Sequence, residues 1–301
     1  MIRIVTDSVA SIPKEVCEAR GIAVASLFVH HKGHDYIDAE MDVDAFYQHI
    51  GEMVDDIPVS SQPSTYTLQA LFNEAAEAGD ELLGIFMSSR MSGTYDAAVS
   101  VVEEVAAKHP GFRYSLIDST TNSYDEAFSV LEAADARDEG CTLEECTDRA
   151  LKAVESTRFL FAPETLAFLK AGGRIGNAAA LVASLIRIKP VITVSDGESQ
   201  TFARIRTTKK ALATIVQKLK EDAARYSLRD IMVHYIGPSA KARIWAKEDI
   251  EPVVGHEVQV LPVSPVIGCH VGPAVGIVYR CAQALPGKIS CSVSSLLRKS
   301  W

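Results

Sequence analysis

The sequence contains no apolar run long enough for a membrane-spanning helix, which needs ~20 residues. Its longest such stretch, Ala178 to Ile188, is shorter and carries Arg187. The amino terminus, Met1-Ile2-Arg3-Ile4-Val5-Thr6-Asp7, reads as a strand and not as a signal peptide. The six cysteines (Cys17, Cys141, Cys146, Cys269, Cys281 and Cys291) have neither CxxC nor zinc-ligand spacing, so they read as scattered reduced thiols. Positive charge is also short. Lys and Arg number 30 against 39 Asp and Glu, a net charge of −9 that argues against a general binder of nucleic acid or anionic membranes. No GxGxxG, no Walker loop, no G-x-S-x-G elbow and no acidic pair at a metal spacing occurs. What is there in quantity is ordinary globular material, 48% apolar and 23% charged over 301 residues. That length exceeds one comfortable core and predicts two α/β domains of about 150 residues each, in a cytoplasmic protein.

The stretch around which the chain is organised is Ser88-Ser89-Arg90-Met91-Ser92-Gly93-Thr94-Tyr95. It follows a short apolar strand, Leu82 to Met87, and precedes a helix whose Ala98, Val101, Val102 and Val105 recur at helical spacing. A strand-to-helix turn is where an open α/β sheet places its ligand. The free N–H groups and positive dipole end of the helix make Ser92, Gly93 and Thr94 a seat for a carboxylate or phosphate, which Gly93 lets approach. The same residues also serve as a helix cap with no ligand, and the turn alone does not separate the two.

In chain order, Ile2 to Thr6 is the first strand, Pro13 opens a helix to about Arg20, and Ile22 to Val29 reads as one second strand. His30 to Asp35 has hairpin chemistry. Neighbouring strand residues face opposite ways, so His30 and His31 would not converge on a metal, and no metal site is expected. Asp42 caps a helix expected through Met53, and residues of about 30–56 form an acidic insert. Ser60-Ser61-Gln62-Pro63-Ser64 again sets hydroxyls before a helix, with Ser64 or Thr65 as cap. A strand to Ile117 and two helices, about Ser123–Arg137 and Thr142–Ser156, complete a largely parallel unit, 1–156.

The second unit, 157–301, opens with a strand at Arg158 to Ala162 and a short helix from Pro163. Gly172-Gly173 should stop that helix and leave Arg174 on a tight loop. An apolar helix from Asn177 to Ile186, a hairpin through Asp196-Gly197 with a return strand at Thr201 to Arg206, and a helix from Thr208 to Arg225 follow. Strands at Ile231 to Tyr235 and Glu257 to Leu261 flank a helix from Ser239, and beyond Tyr279 the tail reads as a helix end plus a loose segment. His270, between Gly268 and Gly272, is either a satisfied core histidine or part of a site.

Thr6-Asp7-Ser8, Ser60 to Ser64, Ser88 to Tyr95, Leu169 to Ile175 and Gly268-Cys269-His270-Val271-Gly272-Pro273, in that order and spacing, resemble the DegV family over about residues 1 to 280. The resemblance implies the two-domain α/β EDD fold, mainly parallel in the N-terminal domain, with a tunnel between the domains for a long-chain fatty acid. It implies a non-catalytic, cofactor-free subunit that presents the carboxylate to a separate ATP-dependent fatty acid kinase. The implied protein makes at most transient membrane contact, with no integral segment and no nucleic acid partner. By similarity, Ser61, Ser92 and His270 look like the carboxylate site, with Ser60, Gly93 and Thr94 beside them. Arg174 is implied at the head group or the kinase, and Arg206 at the kinase. Ser60, Val271 to Ala274 and Tyr124-Asp125-Glu126 depart from the family pattern, and the last of these bears on the acyl chain accepted. Alternatives of other classes are a hydrolase or phosphotransferase built on Ser92 and His270, and a lipid-sensing regulator.

Overall fold

The computed structural model describes residues 1–179, 188–287 and 292–295. The chain begins with β1 (Ile2–Asp7), α1 (Lys14–Arg20) and β2 (Ile22–Ala25). An antiparallel sheet then interrupts, made of β3 (Phe28–His31), β4 (His34–Ile37) and β5 (Val59–Ser61), with α2 (Val43–His49) leading from β4 towards β5. The main sheet resumes through α3 (Thr65–Glu77), β6 (Glu81–Phe86), α4 (Thr94–Lys108), β7 (Tyr114–Asp118), α5 (Tyr124–Asp138) and α6 (Leu143–Glu155).

Strands β7, β6, β1 and β2 lie side by side, all parallel. Their near-continuous apolar runs follow from burial on both faces. Leu68, Phe72, Ala98 and Val102 of α3 and α4 cover one face, and Val130, Ala133, Leu143 and Cys146 of α5 and α6 the other. β1 has β6 on one side and β2 on the other, so the crevice at its carboxyl end is the sheet's switch point. Asp7 ties that crevice together: the N–H groups of Val9 and Met87 donate to its two carboxylate oxygens, each at 2.9 Å. Burial raises its pKa to about 7 in spite of those bonds.

The second sheet comprises β8 (Thr157–Pro163), β9 (Val191–Ser195), β10 (Glu198–Ala203), β11 (Leu228–Ile236), β12 (Val260–Pro262) and β13 (Ala274–Cys281). Its order is β10-β9-β8-β13-β11-β12, antiparallel except for β11 with β12. Among the described residues the α-helices of this half are α7 (Ala167–Ala171), α8 (Thr208–Tyr226), α9 (Ala240–Trp245), α10 (Glu251–Val254) and α11 (Pro265–Val271). One apolar cluster runs from Val9, Met87 and Phe128 of the first half to Phe159, Phe161 and Ile267 of the second, so the halves meet over a shared core. Among the described residues no helix is long and apolar enough to cross a membrane.

Several expectations are corrected. Ile22 to Val29 is not one strand, because the chain breaks at Ser26-Leu27. There Leu27 N–H donates to Ser8 Oγ and Ala39 N–H to Ser26 Oγ, and β3 joins a different sheet. Asp42 does cap α2, accepting from Ala45 N–H, but the α-helix ends at His49 and a 3-10 segment, Ile50–Asp55, takes over. Pro163 closes β8, and α7 starts only at Ala167. The return strand starts at Glu198, directly after the turn, and stops at Ala203. The chain past Tyr279 is the end of a strand, and Val293–Ser295 forms β14, which runs antiparallel to β7 at the edge of the first sheet. The apolar helix expected from Asn177 to Ile186 lies mostly outside the described residues, and Gly176–Ala178 is a 3-10 turn. Cys291 also lies outside them, and the other five thiols are free.

Candidate functional site

A cavity of about 300 Å³ opens between the two sheets. One end of its lining is polar: Ser60, Ser61, Gln62, Ser92, Gly93, Arg174 and His270. The remainder is largely apolar, with Met87, Met91, Phe159, Phe161, Leu169, Val194 and Ile267. A second, much smaller cavity shares Phe159, Phe161, Ile267 and Val271 with the first and continues to His234 and Gly276. The shape is an apolar passage with one hydrogen-bonding end, the usual form of a site for an amphiphile.

The polar end is assembled from elements far apart in sequence. Pro63 keeps Gln62 extended, Ser64 caps α3 by accepting from Thr67 N–H, and Ser60 and Ser61 end β5 just upstream. Across the cavity, the turn after β6 is closed by Met91 and Ser92 N–H groups donating to Ser88 carbonyl oxygen. Ser92 Oγ lies 2.9 Å from Thr94 Oγ1 and accepts from Thr94 N–H. Gly93 is needed for closeness, not for a special φ: its φ is −74°, but a Cβ there would collide with the Gln62 amide. Gln62 therefore seats the β5 end against the start of α4.

His270 stands in the last turn of α11, with its Nε2 2.8 Å from Ser60 Oγ. Burial, and secondarily the Arg174 charge, lower its pKa to about 4, so the ring is neutral at physiological pH. Its Nδ1 has no hydrogen-bond partner among the described residues. We therefore assign the proton to Nε2, which donates to Ser60 and leaves the Ser60 proton for a ligand, because an unpaired buried acceptor is tolerated better than an unpaired donor. Gly172 packs against this ring so closely that a Cβ would strike Nδ1. Arg174 donates from Nε to Met91 carbonyl oxygen at 3.1 Å and from Nη1 to Gly172 carbonyl oxygen at 2.6 Å, which holds its charge at the cavity rim.

Of the residues singled out in the sequence, Ser60, Ser61, Ser92, Gly93, Arg174 and His270 come together on this one cavity. Thr94 does not line it. Thr94 is buried and supports Ser92 from behind. Arg206 is exposed on the segment between β10 and α8, apart from the cavity lining. The Ser92–His270 dyad is not formed, since His270 engages Ser60 and Ser92 engages Thr94.

Sequence reasoning missed Asn122, which lines the cavity and donates from Nδ2 to Met91 Sδ at 3.0 Å. It also missed Phe159 and Phe161, whose i, i+2 spacing on β8 was the available signal. The sequence around His30 raises only the question of a metal ligand. Among the described residues no group of three His, Cys, Asp or Glu side chains is placed to hold a metal ion. Instead His30 bonds Asp35 and Ser61.

Two α/β halves enclosing an amphiphile-shaped cavity at the sheet switch point define a two-domain α/β architecture with its cavity between the halves. Residues 1–281 match the family model described as uncharacterised protein, DegV family. A DegV domain-containing protein of Clostridium acetobutylicum is 37% identical over 284 residues, covering 92% of this chain and 97% of that protein. The structure resembles that of a fatty-acid-binding DegV family protein from Thermus thermophilus, with a TM-score of 0.80 and 28% identity over 93% of this chain and 99% of that one. A stearic acid-binding protein from Eubacterium ventriosum matches with a TM-score of 0.82 and 26% identity, covering 94% and 99%. The chain belongs to the DegV family.

Proposed function

We propose that this protein binds a long-chain fatty acid in the cavity between its sheets and presents the carboxylate to a separate ATP-dependent fatty acid kinase, itself making no bond. The observation that carries the reading is a cavity with hydroxyls, a histidine and a helix start at one end and an apolar wall beyond. The fatty acid bound by structurally similar family members supports it. Ser60, Ser61 and Ser92 supply O–H donors, and the N-terminal N–H groups of α4 and Arg174 add positive potential. A carboxylate costly to bury alone is thereby satisfied. Burial of the chain contributes roughly 0.8 kcal/mol per methylene, on the order of 10 kcal/mol before ordering costs. Arg206, exposed and away from the cavity, is the proposed kinase contact, with Arg174 at the rim between ligand and partner. We place the domain boundary at 156/157, between α6 and β8, with β14 returned to the first domain.

Mass spectrometry of the native and solvent-extracted protein tests the ligand. A stoichiometric fatty acid, lost in Ser92→Ala or His270→Ala, is expected, and a protein that no fatty acid can load would overturn the reading. The partner step is tested by trapping acyl phosphate with hydroxylamine. Product should require ATP, loaded protein and the kinase together, and should drop in Arg206→Ala without loss of bound acid. Product formed by this protein alone would make it the enzyme.

A further inference from the structure

We propose that His30, held by Asp35, is a positioning residue that takes up a proton when a carboxylate seats at Ser61, so that acid binding by this chain is proton-linked. The proposal rests on the reading of the cavity as a fatty-acid site and deepens it.

The geometry comes from strand register. His30 on β3 sits directly opposite Asp35 on β4, and diagonally from Ser61 on β5, whose neighbour Val59 is its direct partner. His30 Nδ1 lies 2.6 Å from Asp35 Oδ1, and His30 Nε2 lies 2.8 Å from Ser61 Oγ. A carboxylate only accepts, so Nδ1 carries a hydrogen in either charge state of the ring. With His30 neutral, Nε2 is therefore a bare acceptor and takes the one hydroxyl proton of Ser61. Ser61 then shows only lone pairs to the cavity and repels a carboxylate. With His30 protonated, Nε2–H donates to Ser61 Oγ, the Ser61 proton turns to the ligand, and a positive charge stands one hydrogen bond behind the head group. Carboxylate and proton consequently bind as a pair.

The surrounding charges leave this role to His30. His31 Nε2 and Lys32 Nζ, on the same hairpin, face Asp56 at 3.4 and 4.0 Å, so Asp35 is the carboxylate bonded to His30. His34 opens β4 directly beyond the turn. From the cavity side come His270, neutral, and Arg174, already committed to two carbonyl oxygens. The Asp35 side chain is 75% exposed and that of His30 33%, so the relay exchanges protons with water. That openness fits proton uptake and disfavours the dry nucleophile site that a Ser–His–Asp connection otherwise evokes.

The test is calorimetry of myristate binding to the delipidated full chain in two buffers of different ionisation heat. Up to one proton taken up per myristate is expected, none with tetradecanol, and none in His30→Gln. The affinity of the wild type for myristate should fall as pH rises, while that of His30→Gln stays flat. Asp35→Asn, which removes the carboxylate that holds Nδ1–H, should diminish the proton uptake. Equal heats in both buffers for bound myristate, or unchanged uptake in a folded His30→Gln, would overturn the proposal and leave fatty-acid binding standing. Failure to bind myristate at all would overturn both. Hydrolysis of a myristoyl thioester abolished in Ser61→Ala would make Ser61 a nucleophile and end the positioning role.

Discussion

At Gly172 the missing side chain is what lets His270 reach Ser60. Its φ is −74°, which any residue adopts, so Gly172→Ala leaves the backbone unstrained but drives the imidazole away from Ser60. The expected result is fatty-acid affinity reduced roughly tenfold, the worth of one hydrogen bond, with little change in melting temperature. Its neighbour Gly173, at φ +71° with open space around it, should behave the other way: Gly173→Ala costs about 1 kcal/mol of stability and leaves the head group intact. Titration of buried rings belongs to the same scale. His234 and His270 each fall from 6.5 in the unfolded chain to about 4 in the fold, chiefly through burial. Protons therefore favour the unfolded chain, and the stability these neutral rings provide, complete above about pH 6.5, is lost as pH falls towards 4. Asp7 opposes them: raised from 3.8 to about 7, it stabilises the fold at low pH and loses that contribution as pH rises through 7. The two are separated by comparing His234→Leu with the wild type in urea. The wild type should lose on the order of 3 kcal/mol more than the variant between those limits.

Among the elements, the β9–β10 hairpin reaches across to the other half. Asp196 and Gly197 both have positive φ, 56° and 76°, as a two-residue hairpin turn demands. Ser88 Oγ donates to Gly197 carbonyl oxygen at 2.8 Å, and Arg90 Nη1 to that of Asp196 at 2.9 Å. A Cβ on Gly197 would press on both Ser88 and Arg90. Gly197→Ala should thus lower stability by about 1–2 kcal/mol in a urea melt and also release fatty acid more readily, since the displaced turn is the one that carries Ser92. The terminal strand makes a different prediction. Truncation after Gly287 removes β14 and bares the β7 edge, which should cost about 1–3 kcal/mol and give concentration-dependent association by light scattering. The turn was legible as Asp-Gly between apolar runs. The pairing of β14 was not, because a three-residue strand has no periodicity to read and its partner lies over 170 residues away.

For the molecule as a whole, a ligand held between two halves couples them. An acid present at a hundred times its dissociation constant adds about 2.7 kcal/mol to stability, so delipidation should lower the melting temperature and added fatty acid should restore it. Ile267→Phe, inside the shared wall of the two cavities, should shift the bound-acid profile measured by mass spectrometry towards shorter chains. Local chemistry in the sequence was enough for the α/β class, the strand-to-helix turn at Ser88, the cap at Asp42, a cap at Ser64 or Thr65, and the hairpins within His30 to Asp35 and at Asp196-Gly197. Each of these depends on neighbours within a few residues, through φ preference, capping or apolar period. Only the tertiary structure decided that His270 answers to Ser60 and not to Ser92, that Gly172 and Gly93 are glycines for the sake of His270 and Gln62, and that His30 and Asp35 stand behind Ser61. Those facts are distances between residues 31 to 210 positions apart along the chain, and only strand register and the packing of the two sheets set them.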